Sequence, residues 1–255
     1  MRGKKRKDTL TPSVSPIVVS KADSYLIINK PAGWIVNDAR SASAPVVQQW
    51  LAKHFSYKIA KSHDLRGGIV HRLDKETSGV MIIAKTEQAL MAIQAQFKER
   101  SVQKKYKALL HGILSPKTGI INAPVGRLPW NRERFGVLSG GREATTEYRV
   151  ERYYKNRNIN EKYSWVEFLP KTGRTHQIRI HAKHLGHPIV SDNFYAGRKQ
   201  SRKDRLWLPH LALVAIQIEF TDPDTGKRVS YDAPIPASIK KALRSLELLE
   251  RSGVS

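Results

Sequence analysis

Cysteine is absent from all 255 residues. That excludes thiolate catalysis, cysteine-based zinc sites and iron–sulfur clusters, and it gives no reason to expect an oxidising compartment. Any chemistry must come from oxygen and nitrogen groups. Long apolar runs are missing too: none approaches the ~18 residues of a membrane span, and the start lacks a signal-peptide apolar segment. The expectation is a soluble, cytoplasmic protein without a membrane partner. Acidic residues are scarce, 22 Asp and Glu against 45 Lys and Arg, for a formal charge of +23. Such an excess exceeds what solubility needs and points to a polyanionic partner, with nucleic acid the natural one.

Internal repeats and low-complexity linkers are also missing, so a single domain over 16–250 is the economical reading. Residues 1–15, within "MRGKKRKDTLTPSVSP", read as a disordered basic arm. A short transit peptide is the competing reading, opposed by Asp8 and by two prolines that resist an amphipathic helix.

What is present reads as alternating short elements. "SYLIINKPAGWIV" predicts a strand from Tyr25, a turn at Pro31–Gly33 and a second strand from Trp34. "SAPVVQQWLAKHF" spaces Val46, Val47, Trp50, Leu51 and Phe55 as a helix. "GVMIIAKT" reads as a buried strand, and "TEQALMAIQAQFKER" as a helix capped by Thr86. "SVQKKYKALLHGIL" reads as a strand, followed by several short antiparallel ones. "RTHQIRIHAKHLG" predicts a helix ending at Gly186, 197–207 a loop, and "ASIKKALRSLELLERSG" a closing helix after two strands joined by a turn at Asp222–Gly226. The sum is α+β, mainly antiparallel or mixed sheet with peripheral helices.

Two segments carry candidate chemistry. In "GGIVHRLDKETSGVMIIAKT", Asp74 lies beside a buried strand, where an ionised carboxylate needs a positive or hydrogen-bonding partner. Arg72, Lys75 and the arginines of "KTGRTHQIRIH" can supply one, and a loop of solvated ion pairs is the bland alternative. In the second segment a helix from Thr175 places Arg179 one turn beyond Thr175 and His176. The histidines at 176, 181, 184 and 187 lack the i, i+4 spacing and the glutamate of a zinc helix, so no metal is expected. No GxSxG elbow and no GxxxxGK[ST] loop occurs, and Asp74 with Glu76 stands too close in sequence for a glycosidase pair.

"HRLDKETSGVMIIAKT" resembles the HRLDxxTSGxxxxAKT signature of the RluA-like family of pseudouridine synthases. "INKPAGWIVND" is similar to that family's NKPxGxxVH element, with Asn37 in place of the frequent His. "KKYKALLHG" resembles its tyrosine segment, and "KTGRTHQIRIHAKHLGHPIVSD" its GRTHQIRxHxxxxGxPIxGD segment, with Ser191 for the usual Gly. The likeness runs from about Ser20 to Pro236. It implies a curved sheet around a central cleft, in which an RNA uridine is isomerised to pseudouridine without metal or other cofactor. The N1 glycosidic bond breaks, and the base rotates and re-bonds through C5.

By that resemblance Asp74 is the catalytic aspartate, either attacking the sugar or starting a glycal route. Tyr106 stacks on the target base, Arg179 pairs with the aspartate, and Arg72 fills the gap left by the flipped base. His71, Leu73, Thr77, Arg174, His176 and Gln177 are placed among the substrate-binding residues. Many such relatives carry a small N-terminal RNA-binding domain; with a strand expected near residue 17, none is expected here. RNA affinity then falls to the arm, the domain and the cluster "GRKQSRKDRLW", with Arg198, Lys199, Arg202 and Lys203 as backbone contacts. A monomer acting on tRNA, rRNA or both is expected. An RNA-binding or RNA-folding factor with dispensable catalysis is the second function class. Lys75 and Glu76 receive no role.

Overall fold

The computed structural model describes residues 14–38, 44–129 and 131–249. Its scaffold starts from two apolar strands. β1 (Ile17–Lys21) and β2 (Tyr25–Lys30) form a hairpin, and β2 also pairs antiparallel with β3 (Ser78–Ala84), from Tyr25↔Ala84 to Lys30↔Gly79. All seven residues of β3 are buried, as expected of a continuous apolar run in the middle of a sheet. Between β2 and β3, α1 (Val47–His54) turns Val47 and Leu51 inward, and the chain then passes the short 3-10 turn Arg66–Gly68.

α2 (Glu87–Lys98) follows β3. The Thr86 side chain accepts from the Ala89 amide, and Ala89, Leu90 and Ile93 form its buried stripe. The chain continues into β4 (Gln103–His111), β5 (Thr118–Asn122), the two-stranded ribbon β6 (Val125–Leu128) and β7 (Asn131–Val137), and the long hairpin β8 (Thr145–Asn156) and β9 (Glu161–Pro170). Then come α3 (Gln177–His184), α4 (Arg198–Asp204), β10 (Leu213–Thr221), β11 (Arg228–Asp232), α5 (Ala237–Arg244) and β12 (Glu247–Leu249). The main sheet runs β1-β2-β3-β10-β4-β9-β8-β12, with β11 added to β10 and β5 to β8. The β3–β10 pairing is parallel, through Ser78↔Val214 and Gly79↔Ala215, so the sheet is mixed.

Two large apolar cores are built along this sheet, with two small clusters beside them among the described residues. One gathers β2, β3, α1 and α2; the other gathers β4, β8, β9, α3 and α5. Tyr106 packs against both, placing it where the two halves of the molecule meet. The active-site candidates cluster at this seam.

Three local expectations need correction. No strand begins at Trp34: Ile35 makes an isolated bridge to Val46, because the Ile35 and Val47 backbones bond across the start of α1 instead of joining the sheet. Residues 198–204 are helical rather than loop. The inward face of α4 is polar, Ser201 bonding Asn193 and Asp204 accepting from the Ser191 amide, so no apolar stripe announces it. The closing helix stops at Arg244, and Glu247–Leu249 pairs with Tyr153–Lys155 of β8 as an edge strand. Residues 1–13 of the basic arm, and 250–255, lie outside the described residues.

Candidate active site

Asp74 sits in the turn that delivers the chain into β3. The Thr77 amide closes that turn by donating to the Asp74 carbonyl at 3.1 Å, and buried Leu73 anchors it. Beneath it lies Lys30, with no exposed surface, whose Nζ donates to the carbonyls of Pro31, Trp34 and Lys75 at 3.0, 3.1 and 3.2 Å. Burial pulls its pKa down to about 7, against the opposing charges of Asp74 and Glu76. The Gly33 amide also donates to the Lys75 carbonyl, at 2.7 Å. The Asn-Lys-Pro-Ala-Gly segment therefore braces the Asp74 turn from below. Lys75, without a role in the sequence reading, contributes its main-chain oxygen.

Arg179 reaches Asp74 from α3, with Nη1 3.5 Å from Oδ2. Its other two nitrogens are held by Asp192: Nε to Oδ2 and Nη2 to Oδ1, each at 2.8 Å, in a bidentate pair. Asp192 is itself 1% exposed and accepts from the amides of Phe194 and Tyr195. The guanidinium also lies 5.3 Å from the Phe194 ring centroid and 5.2 Å from that of Tyr195. Burial alone would lower the Arg179 pKa, but the Asp192 hydrogen bonds and the charges of Asp192 and Asp74 raise it above its ordinary value. Arg179 is a fixed cation with one edge turned to Asp74.

The cleft above these groups has a volume of about 290 Å³ and includes Tyr106 and His176 in its wall. Burial, reinforced by the Asp74 charge, drives the Tyr106 phenol well above its usual pKa, so it stays neutral. His176 has a left-handed backbone (φ 57°) at the start of α3, its Nδ1 2.9 Å from the Tyr195 hydroxyl and its Nε2 3.9 Å from Asp74. Burial lowers its pKa, with Arg179 and Arg72 adding to the effect and Asp74 and Asp192 opposing it.

The remaining sequence candidates divide into two groups. Arg72, exposed at the rim, and Arg174, whose Nε donates to the Glu143 carbonyl, line the cleft with their charges. His71, Leu73, Thr77 and Gln177 line it as well. The His71 Nε2 accepts from the Ile82 amide, its ring stacks on Phe97, and burial pushes its pKa down to about 3, so it is a neutral prop for β3. Thr77 is 2% exposed, and among the described residues its hydroxyl has no partner. Gln177 does not reach outward: its oxygen accepts from Thr172 and Arg174, and its amide donates to Thr145 and Thr146, filling its four positions. It fixes the 172–177 turn. Arg198, Lys199, Arg202 and Lys203 form the exposed face of α4, away from the cleft lining.

Sequence reasoning missed Asp192, Lys30, Phe97 and Lys104 as parts of the site. Lys104 lines the cleft, with its Nζ 6.0 Å from the Phe97 ring centroid, and burial lowers its pKa to about 8. Strand alternation offered a signal, since Lys104 stands two residues before Tyr106 and shares its face. Asp192 did carry a signal as the last residue of the GxPIxGD-like segment, but its role as the partner of Arg179 is set only by the fold. His181 bonds Thr146 and the Ala123 carbonyl, and the His187 Nδ1 bonds the His111 carbonyl, so these histidines serve separate structural contacts.

A family model described as RNA pseudouridylate synthase matches residues 24–184. Over 239 residues the chain is 37% identical to an uncharacterized RNA pseudouridine synthase of Synechocystis sp., covering 92% of this chain and 70% of that one. It is 39% identical to one from Chloroflexus aurantiacus, covering 86% of this chain and 66% of the relative. With the ribosomal large subunit pseudouridine synthase D of Neisseria meningitidis serogroup B the identity is 36%, over 91% of this chain and 61% of the relative. The chain thus spans 61 to 70% of the length of these curated relatives. The human protein RNA pseudouridylate synthase domain containing 1 shares the fold, with a TM-score of 0.67 at 24% identity, over 92% of this chain and 89% of that one. Four ordered motifs, three of them lining one cleft and the fourth bracing the Asp74 turn, agree with these matches: the chain belongs to the RNA pseudouridylate synthase family, in its RluA-like branch, a family of isomerases.

Proposed function

We propose that the chain converts uridine to pseudouridine in a folded RNA, with Asp74 as the reacting carboxylate. The observation that carries this reading is the meeting of Asp74, Tyr106 and Arg179, from three distant segments, around one cleft with a buried cation 3.5 Å from the carboxylate. Arg179 turns one edge toward Asp74 at 3.5 Å, and both attack at C1′ and proton removal from C2′ use a carboxylate oxygen there. Tyr106, neutral and aromatic, offers a platform for the uracil ring, and its hydroxyl can exchange a proton with the base. A uridine in folded RNA must leave its stack to reach a cleft of this size, and in this reading the exposed Arg72 side chain fills the position it vacates. Arg174 and the exposed face of α4 meet phosphates.

Ribosomal RNA is the first substrate to test, because several similar proteins are named ribosomal large subunit pseudouridine synthase D; tRNA is the second. The experiment is a pseudouridine map of total RNA from cells with and without the protein, paired with purified wild-type and Asp74→Ala protein acting on the unmodified RNA. The expected result is one or a few sites lost in the cell and restored in vitro by wild-type protein alone. Conversion by Asp74→Ala overturns the mechanism. Full biological rescue by Asp74→Ala favours an RNA-folding role with dispensable catalysis.

A further inference from the structure

We infer that a second nucleotide of the RNA, flanking the target uridine, binds in a groove on the far side of the His176–Arg179 wall. This rests on the reading of the cleft as a uridine site. The groove has a volume of about 500 Å³, within the ~300–1,000 Å³ range of small-ligand sites. It lies between the β6–β7 ribbon, the C-terminal half of α3 and the segment Phe194–Gly197 that leads into α4. Among the described residues that line it, Arg134, Lys183 and His184 are basic and none is acidic. An anion is the complementary ligand.

Two aromatic side chains specify more than an anion. Phe194 is 40% exposed, unusual for so large an apolar ring, and Phe135 faces the same space. Both rings contact His176, at centroid distances of 5.6 and 6.1 Å, so the groove and the catalytic cleft share one wall. Arg127 lies 5.0 Å from the Phe135 ring centroid, adding positive charge behind it. An aromatic platform with basic neighbours is the combination that holds a stacked base and its phosphate, whatever the base's identity. The groove also opens at Gly197, directly before the exposed basic face of α4, so one strand can run from the cleft through the groove to that helix.

The test uses full-length protein and pentauridylate as probe, in plain form and with 4-thiouridine for photo-crosslinking. Crosslinks are expected both to the peptide bearing Tyr106 and to the peptide bearing Phe194. Phe194→Leu should weaken pentauridylate binding roughly tenfold, with Phe194→Trp restoring it, since either ring stacks while leucine fills space only. Replacing Arg134 and Lys183 together by Gln should reduce the magnitude of the slope of log K against log salt by about 1.4, at about 0.7 per phosphate contact on a single strand. Crosslinks confined to the Tyr106 peptide, or Phe194→Leu binding as tightly as wild type, overturn the groove assignment and leave the uridine site standing. Crosslinks that avoid the Tyr106 peptide, or no binding at all, overturn the reading on which it rests.

Discussion

Asp192 holds Arg179 by two of its three guanidinium nitrogens, at 2.8 Å each, and leaves the third to face Asp74 at 3.5 Å. The arginine is therefore aimed before substrate arrives, and its charge is shared between a buried carboxylate and a partly exposed one. Orientation of this kind lowers the reorganisation needed during the reaction.

Removing that grip separates aim from affinity. Asp192→Asn keeps the shape but puts an amide against the guanidinium, and kcat should fall on the order of 100-fold with KM changed much less. Asp192→Ala leaves Arg179 as a buried charge without its main partner, and should cost about 3–5 kcal/mol of stability by urea unfolding. Equal loss in KM and kcat would argue against a positioning role.

The exposed face of α4 should act on binding alone. Replacing Arg198, Lys199, Arg202 and Lys203 by Gln should raise KM and reduce the salt slope by about 3, if each of the four releases one counterion. The helix itself is held by Ser201 and Asp204, which these changes leave intact. An unchanged salt dependence would remove α4 from the RNA-binding surface.

Lys30 makes a pH-dependent contribution whose sign follows from its burial. Its folded pKa of about 7 lies below its ordinary value near 10.5, so between these two the unfolded chain binds more protons and stability rises with pH. The penalty for burying the charged form is fully present below the folded pKa and is relieved as pH climbs through the window. The difference between the wild-type and Lys30→Met stability curves, measured from pH 6 to 10, should carry this slope. Parallel curves would show that Lys30 keeps its proton.

Gly79 occupies a position that no other residue fits. Its φ is 126°, and a Cβ there would overlap the carbonyl oxygen and amide nitrogen of Ala215 in the parallel β3–β10 pairing. Gly79→Ala should therefore push these strands apart, lowering the unfolding midpoint and cutting activity, because the Asp74 turn feeds directly into β3. Thermal unfolding together with single-turnover rates would check both effects; a variant as stable as wild type contradicts the close approach.

The sequence by itself determined the elements that stand on local signals. β2 and β3 are apolar runs, α1 and α2 carry helical spacing, and Thr86 caps α2 as its place predicts. The motif residues Asp74, Tyr106 and Arg179 were also legible, because each sits in a distinctive local string. Tertiary structure decided what depends on partners remote in the chain. Glu247–Leu249 is a strand because β8 offers an open edge, and α4 is a helix whose inward anchors are polar groups of the segment Ser191–Asn193. Asp192 meets Arg179, and Lys30 meets the Lys75 carbonyl, only after the sheet has closed. Periodicity reports which face of an element is apolar; it carries no record of which distant donor will satisfy a buried charge, and the active site is built from such pairs.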